Sequence, residues 1–212
     1  MNKKLKEILR PIYRRIVIGM LSNYRLRRLA RQRPLKIVVG ASMTSQPGWI
    51  STQMEFLNLL RPNNWKRYFS KNPIDAILAE HVWEHLSREE GVLAANICFQ
   101  YLKPSGYLRV AVPDGFHPDP DYIEYVEPGG VGPGASDHKI LYNYRTFNEL
   151  FESAGFRVDL LEYFDENGQF HYKQWDPIDG MIRRSKRFDK RNSDRKFNYT
   201  SIILDARKLS SI

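Results

Sequence analysis

The stretch from residue 74 to residue 112 constrains the fold more than any other part of the chain. Residues 74–79 are an apolar run with the length of a buried strand, and residues 107–112 form a second run of this kind. Between them, residues 82–102 carry apolar side chains at helical spacing, and residues 103–106 (KPSG) predict a turn. A strand, a helix and a strand in this order predict two parallel strands joined by a right-handed crossover. The chain is therefore expected to be an α/β protein.

Other predicted elements lie on both sides of this unit. The apolar run at 35–39 predicts a strand that leads into a turn of small residues, and a second short strand is expected at 49–52. Residues 41–48 separate these strands, fewer than the roughly dozen residues that a full crossover helix needs. Either the first crossover is reduced to a turn, or the two strands are related differently. The remaining predicted elements are a helical or loop segment at 54–73 with Trp65, Tyr68 and Phe69 as core residues, a helix at 146–154 that ends at Gly155, and strands at 156–163 and 200–206.

The positive charge of the chain is concentrated at its beginning. Residues 1–36 contain twelve Lys or Arg and a single acid, Glu7, so they carry +11, more than the net +9 of the whole chain. We therefore divide the chain into a basic N-terminal arm, 1–33, and one domain, 34–212, with a polar insertion at 164–199. Apolar residues at helical spacing allow the arm to lie on an anionic membrane surface. A helix packed on its own domain, or a flexible extension, is the simpler alternative.

Two features of the composition bear on the cellular compartment. The longest apolar run of the arm, residues 16–21, is too short for a transmembrane helix or a typical signal peptide. Cys98 is the only cysteine, so no intrachain disulfide can form, and this usage suits a reducing cytoplasm. We expect a cytoplasmic protein, with peripheral membrane contact through the arm as an option.

Three segments together carry a resemblance to a known family. DAILAEHVWEHL, YLKPSGYLRVAVPD and FNELFESAGFRV resemble class I S-adenosylmethionine (SAM)-dependent methyltransferases, and in particular small methyltransferase-domain proteins with EHxxEHL and LKPGGxLRxAVPD motifs. The similarity covers roughly residues 36–163 and 200–206. It implies a Rossmann-like α/β sheet that is mostly parallel, with an antiparallel C-terminal strand and a reduced first crossover. It also implies SAM as the cofactor and methyl transfer as the activity.

The resemblance also implies where the cofactor binds. In this family the turn after the first strand brings backbone amides close to SAM, the end of the second strand holds the ribose, and the end of the fourth lines the methyl-transfer pocket. Ser42 replaces the usual second glycine of the turn, and Thr52 or Gln53 replaces the usual ribose-binding acid, for which Glu55 is a substitute. The predicted cofactor-binding residues are Gly40, Ala41, Ser42, Thr52, Gln53, Glu80 and His81.

A general base is expected near the end of the fifth strand. Asp114 and His117 begin the long Gly- and Pro-rich loop 113–139, and His81 at a neighbouring strand end is the rival candidate. Either Asp114 or His117 has the chemistry to remove a proton from an acceptor hydroxyl or amine. The simpler interpretation of Asp114 is a turn-forming aspartate after Pro113.

Two other motifs have simpler explanations. HVWEH, residues 81–85, matches an inverted zinc-protease pattern, in which His81 and His85 would bind zinc. That pattern needs both histidines within a helix, whereas His81 falls where a strand ends, so we expect no metal. The basic run at 183–191 makes nucleic acid conceivable, and a phosphate-bearing or sugar-nucleotide acceptor fits as well, but a solvated surface is the simplest explanation and the one that we prefer. We therefore do not expect a nucleic-acid partner.

Two hypotheses of function remain open. The first is a SAM-dependent methyltransferase that acts on a small-molecule or saccharide acceptor, and it is favoured by Glu80, His81 and Asp114, which match the pattern of the family. The second is a catalytically inactive module with the same fold, which Ser42 and Gln53 favour.

Overall fold

The described residues form one mixed sheet of seven strands. The computed structural model describes residue 26 and residues 28–41, 45–193 and 196–210. The N-terminal arm, 1–33, therefore lies outside the described residues except for its last positions. The strands are β1 (Lys36–Val39), β2 (Ile50–Ser51), β3 (Ile74–Glu80), β4 (Leu102–Pro113), β5 (Arg157–Phe164), β6 (Phe170–Tyr172) and β7 (Ser201–Arg207).

The order of strands across the sheet is β2-β1-β3-β4-β7-β5-β6. β1 pairs in parallel with β2 and β3, and β3 pairs in parallel with β4. β7 is antiparallel to both of its neighbours, β4 and β5. β5 therefore runs in the same direction as β4, and only β6 and β7 run the other way. The predicted Rossmann-like α/β fold, mostly parallel with an antiparallel C-terminal strand, is confirmed.

The connection between β1 and β2 is short. The two strands are parallel, and the described residues between them, 40–41 and 45–49, contain a turn and no helix. This agrees with a reduced first crossover and excludes the alternative in which the two strands would not be parallel neighbours. Ser42 lies outside the described residues.

Four helices accompany the sheet in the described part of the chain, besides the helical residues 26, 28 and 29 near its start. The first buries Trp65, Tyr68 and Phe69, as the sequence predicts. The last ends at Gly155, whose φ of +91° is the left-handed conformation that a helix C-cap requires. The helices are α1 (Pro62–Phe69), α2 (Arg88–Tyr101), α3 (Pro120–Val126) and α4 (Tyr144–Ser153), with short 3₁₀ turns at Trp83–His85, Ala135–Asp137 and Pro177–Asp179.

The helix predicted at 82–102 is interrupted near its start. A 3₁₀ turn at Trp83–His85 comes first, and α2 then begins after Ser87. The Ser87 hydroxyl accepts a hydrogen bond from the Glu90 backbone N–H, and the Glu90 carboxylate accepts one from the Ser87 N–H. This capping box stabilises a new helix start at Ser87. The break separates Glu84 and His85 from α2 and places them beside the end of β3.

The structure also adds elements that the sequence did not predict. The turn predicted at 103–106 is incorporated into the beginning of β4, where Ser105 adopts a φ of +63°. Loop 113–139 contains α3, and the segment 164–199 contains β6. Both α3 and β6 are short, so they leave little periodicity in the sequence.

The two faces of the sheet are covered by different kinds of structure. One face, which includes Ile37 and Ile77, packs against residues of α1, α2 and α4 in the larger core cluster. The other face, which includes Val38 and Leu78, packs against Trp175 and Ile182 of the 164–199 segment. In the described residues this segment has β6 and one 3₁₀ turn but no α-helix. It nevertheless acts as the second layer that an α/β sheet needs.

Buried charged side chains of the sheet hold the 164–199 segment through its backbone. The Arg109 guanidinium forms an ion pair with Asp205 and also donates to the backbone oxygens of Asp176 and Gly180. The Glu162 carboxylate accepts a hydrogen bond from the Lys186 backbone N–H at 2.8 Å. These contacts satisfy polar backbone groups that a helix would satisfy internally.

Candidate functional site

A cavity of about 410 Å³ lies at the carboxyl ends of β1 and β3. Ligands of open α/β sheets bind outside the carboxyl ends of the strands, so its position favours a functional site. The lining comes from the strand ends, from the 3₁₀ turn after β3, from the loop after β4 and from the 164–199 segment. Among the lining residues are Gly40, Ala41, Glu80, His81, Glu84, His85, Tyr125, His138, Arg183, Arg184 and Tyr199.

Gly40 occupies a position that only glycine fills without strain. Its φ is +61°, and a Cβ added there would lie 2.7 Å from a methyl group of Val82. A larger residue at this position would disturb the end of β1 whether or not a ligand is present. Gly40→Val, which the sequence alone suggests as a test of cofactor binding, would therefore affect folding as well as binding.

His81 has an unusual conformation at the end of β3. Its φ is +54°, a region that non-glycine residues rarely occupy and that often marks functional sites. The ring Nε2 lies 3.0 Å from the Ser201 hydroxyl, and Nδ1 lies 3.0 Å from Oε1 of Glu84. Both ring nitrogens are thus engaged within the protein. This arrangement makes His81 a residue that positions Glu84.

Glu84 brings a buried carboxylate to the cavity. The residue is 1% exposed, yet neither carboxylate oxygen receives an aligned hydrogen bond from the described residues. The close approach of His81 to Oε1 is therefore an ion pair without good hydrogen-bond alignment. Burial raises the pKa of the Glu84 carboxyl, but the neighbouring His81 ring more than offsets it, so the pKa lies below its ordinary value. The cavity therefore contains an anionic group without a good donor.

His85 and His138 line the same cavity. Their rings meet edge to face, with centroids 4.8 Å apart. Nδ1 of His85 lies 3.3 Å from the backbone oxygen of Asp137, and Nδ1 of His138 lies 2.6 Å from the backbone oxygen of Val126. The sequence suggests His85 as a ligand only within the zinc-protease pattern and does not predict this pair. For His138, which precedes α4, the resemblance to the methyltransferase family implies a role in the pocket, with helix capping as the simpler alternative, and the structure places it at the cavity.

The 164–199 segment supplies the other wall. Arg183 and Arg184 line the cavity, and the Arg184 backbone N–H donates to Oε1 of Glu80 at 2.8 Å. Tyr199 stacks on the His81 ring, and burial raises the pKa of its phenol to about 12. The predicted solvated surface of the basic run therefore holds only in part, because two of its arginines face the cavity.

Asp114 and His117 do not line this cavity. Asp114 is fully buried, and its carboxylate accepts hydrogen bonds from the backbone N–H groups of Phe116 and Phe164. The His117 Nε2–H donates to the Phe197 backbone oxygen, while Nδ1 accepts from the Asp119 N–H. Burial lowers the pKa of His117, which favours the neutral ring. The assignment of a general base to either residue stays a prediction, and the geometry favours structural functions for both.

Thr52 and Gln53 line a second cavity of about 530 Å³, which excludes Gly40 and Glu80. The Thr52 hydroxyl donates to the Val38 backbone oxygen at 2.9 Å, so it is occupied within the sheet. Glu55 is exposed and lines neither cavity. Within the described residues, the end of β2 therefore offers no carboxylate to the first cavity.

Comparison with known proteins gives matches of overall shape only. No protein-family model matches the sequence, and no curated protein matches it. A SAM-dependent methyltransferase from Archaeoglobus fulgidus is 17% identical, and the alignment covers 90% of this chain and 94% of that chain with a TM-score of 0.45. An O-methyltransferase family protein from Burkholderia thailandensis is 11% identical, with 93% of this chain and 58% of that chain covered at a TM-score of 0.46. The fold assignment rests on the strand order of the sheet itself.

Proposed function

We propose that this protein binds SAM in the cavity of about 410 Å³ and transfers its methyl group to a small-molecule or saccharide acceptor. The observation that carries the proposal is the position of this cavity, at the carboxyl ends of β1 and β3 and next to the Gly40 turn. Together with the strand order, it agrees with the site that the resemblance to class I methyltransferases implies.

The residues of the cavity suit the cofactor. Its volume falls within the range of about 300–1,000 Å³ that is typical of small-molecule sites. Gly40 and Ala41 line the cavity with small residues at the end of β1. Glu80 supplies a charge opposite to the ammonium of an amino acid, and Arg183 and Arg184 supply charges opposite to its carboxylate.

In this proposal, the residues of the chain mainly orient SAM and the methyl acceptor, and they take no covalent part in the reaction. Bound SAM supplies an electrophilic methyl group. His81, held by Ser201 and Tyr199, keeps Glu84 ionised at one wall. The Glu84 carboxylate can then accept a hydrogen bond from an acceptor hydroxyl or amine and fix its direction of attack. The loop after β4 and Arg183 and Arg184 line the cavity with polar groups, which suits a small polar acceptor.

Calorimetric titration with SAM and its demethylated product, S-adenosylhomocysteine, tests the cofactor. We expect one molecule of each to bind per chain. Glu80→Gln keeps the oxygen that accepts the Arg184 N–H but removes the charge, so SAM affinity should fall by roughly 5- to 10-fold, the equivalent of about 1 kcal/mol. Glu152→Gln, at an exposed position of α4, is the matched control and should leave affinity unchanged. A folded wild-type protein that binds neither compound would refute the proposal.

A non-catalytic SAM-fold module is the second candidate. The observation in its favour is that Thr52 and Gln53, which take the place of the ribose-binding acid, lie outside the cavity. Turnover assays with sugars, sugar nucleotides and small phenols separate the two functions. SAM binding without methyl transfer to any acceptor of these classes would favour the module.

We also propose that the arm contacts membranes and that the protein is cytoplasmic. The basic arm is proposed to contact anionic membranes, and vesicle binding that fades with salt and is lost on deletion of residues 1–33 would support this. A cytoplasmic location is proposed from the single cysteine, Cys98, which is buried. No helix among the described residues is long and apolar enough to cross a membrane.

A further inference from the structure

Three metal-ligating side chains converge at one wall of the cavity. One potential ligand atom from each of Glu84, His85 and His138 lies within 4.8 Å of those of the other two. All three residues line the cavity of about 410 Å³. Glu84 and His85 come from the 3₁₀ turn after β3, whereas His138 comes from the far end of the loop after β4. The fold therefore brings together residues that are more than fifty positions apart in sequence.

The hydrogen bonds of the two histidines leave the correct atoms available. Nδ1 of each ring faces a backbone carbonyl oxygen, that of Asp137 for His85 and that of Val126 for His138. A carbonyl oxygen only accepts, so each Nδ1 must carry the proton and each Nε2 must carry the lone pair. Metal-bound histidines almost always donate their other ring N–H to a carbonyl or carboxylate in this way.

Glu84 supplies an independent sign that a partner belongs here. It is 1% exposed, and the described residues give neither of its carboxylate oxygens an aligned hydrogen bond. Buried polar groups are normally satisfied by the protein, by water or by an ion. His81 approaches only Oε1 of Glu84, at 3.0 Å, and so helps to hold the carboxylate in place. Oε2 has neither an ion pair nor a hydrogen bond from the described residues.

We infer that Glu84, His85 and His138 bind one divalent transition-metal ion of the zinc type. Two imidazoles and one carboxylate favour Zn²⁺ or its neighbours over Mg²⁺, which prefers oxygen ligands alone. Ligand bonds of about 2.0–2.2 Å in tetrahedral geometry place the ligand atoms roughly 3.3–3.6 Å apart. The present spacing of up to 4.8 Å requires the ligand atoms to approach by about 1 Å, which small rotations of the partly exposed histidine rings allow.

This trio differs from the zinc-protease pattern in the sequence. That pattern pairs His81 with His85 on one helix, whereas His81 here faces Ser201 and Glu84 and is not a ligand. The expectation that no metal binds was based on His81, Glu84 and His85 alone. It did not include His138, whose position depends on the long loop after β4.

Three protein ligands leave a fourth metal position for water or substrate, as in catalytic zinc sites. A bound hydroxyl of the methyl acceptor would lie against the metal in the same cavity. Metal coordination lowers the pKa of a bound hydroxyl and so makes the oxygen a better nucleophile at neutral pH. This second step rests on the proposed function, whereas metal binding itself does not.

Titration of metal-free protein with Zn²⁺ tests the site. Full-length protein without a histidine tag is treated with a chelator, and Zn²⁺ binding is measured by calorimetry in the absence of SAM. We expect one Zn²⁺ per chain. His85→Ala and His138→Ala should each weaken binding at least about 10- to 100-fold, the loss that follows removal of even an outer-shell partner. His171→Ala removes a histidine that pairs with Asp165 outside the cavity and should leave binding unchanged.

Cobalt supplies a readout that does not depend on affinity. Co²⁺ bound in a tetrahedral site absorbs visible light strongly, so wild-type protein should show this spectrum and folded Glu84→Gln should lose it. The inference is overturned if wild-type protein binds no Zn²⁺, if Mg²⁺ binds in its place, or if Zn²⁺ binding survives in both His85→Ala and His138→Ala. Zn²⁺ binding without SAM binding would leave the metal site intact and refute only the proposed function.

Discussion

Replacing Asp114 by asparagine should change how the stability of this protein depends on pH. The carboxylate is fully buried at the end of β4 and accepts hydrogen bonds from the backbone N–H groups of Phe116 and Phe164, at 3.0 and 2.7 Å. Asparagine has one oxygen and one NH₂ group in this space. One backbone N–H would then face another donor, at a cost of about 1–3 kcal/mol.

The pH dependence follows from the raised pKa of Asp114. Burial raises it to about 6, while the two backbone hydrogen bonds act in the opposite direction. Below the ordinary carboxyl pKa of 3.8 the group is neutral in both the folded and the unfolded protein. As the pH rises towards 6, the unfolded chain ionises first, so the wild type loses stability. A shift of about two pKa units corresponds to about 3 kcal/mol.

The measurement is the free energy of unfolding in urea for wild type and Asp114→Asn, between about pH 4 and pH 7. The cost of the substitution should be largest at low pH and should fall by about 2–3 kcal/mol over this range. Asp165→Asn is the control. The hydrogen bond from His171 lowers the pKa of Asp165 below 3.8, so this carboxyl is already largely ionised above pH 4 in the folded and the unfolded protein, and the cost of replacing it should not show this fall.

Two results would contradict this reasoning. A cost of Asp114→Asn that stays constant or grows with pH would mean that the carboxylate is not held in a buried, charge-disfavouring position. A loss of turnover by about 10²–10⁴-fold in a stable Asp114→Asn protein would mean that Asp114 reaches the acceptor as a general base. Because Asp114 does not line the cavity, we expect turnover to remain close to that of the wild type.

Two further predictions concern the layers around the sheet. Arg109→Ala should destabilise the protein by about 3–5 kcal/mol, because it leaves the buried Asp205 with only Arg207 as a charged partner. Arg157→Ala is the control and should cost less than about 1 kcal/mol, because its ion pair with Asp159 is exposed and has an N–O distance of 3.8 Å. Equal costs of the two substitutions in urea denaturation would contradict this prediction. Gly155→Ala should lower the free energy of unfolding by about 1–2 kcal/mol, because a residue with a Cβ is strained at the φ of +91°. The added Cβ would meet Phe99 only at ordinary contact distance, so no clash adds to this cost. An unchanged midpoint of urea denaturation would show that the left-handed cap is not needed.

The central part of the fold could be predicted because its signals are local. The apolar strand, helix and strand at 74–112 are periodic over long stretches, and Gly155 marks a helix end by its own conformational freedom. The break before α2 could also have been predicted from the sequence, since Ser87 and Glu90 have the spacing of a capping box. It was missed because the apolar pattern on both sides of the break continues without interruption.

The candidate site could be predicted only in part. Gly40, Ala41, Glu80 and His81 belong to strand ends, and the sheet order places strand ends together. His138 and Arg184 depend on how a long loop and a segment without α-helix fold back over the sheet. No periodic pattern encodes such long-range contacts. Asp114 shows a different limit of sequence patterns, because a residue next to a strand end can also point into the protein and bind backbone groups.

The second layer of the sheet links stability to the candidate site. A helix packed on a sheet satisfies its own backbone, so its buried face can be entirely apolar. The 164–199 segment has no α-helix among its described residues, and its backbone is instead held by Arg109, Glu162 and Glu80. Glu80 does this from the cavity, through the N–H of Arg184, which also lines the cavity. The strand-end carboxylate of the candidate site therefore also holds the segment that forms part of its wall.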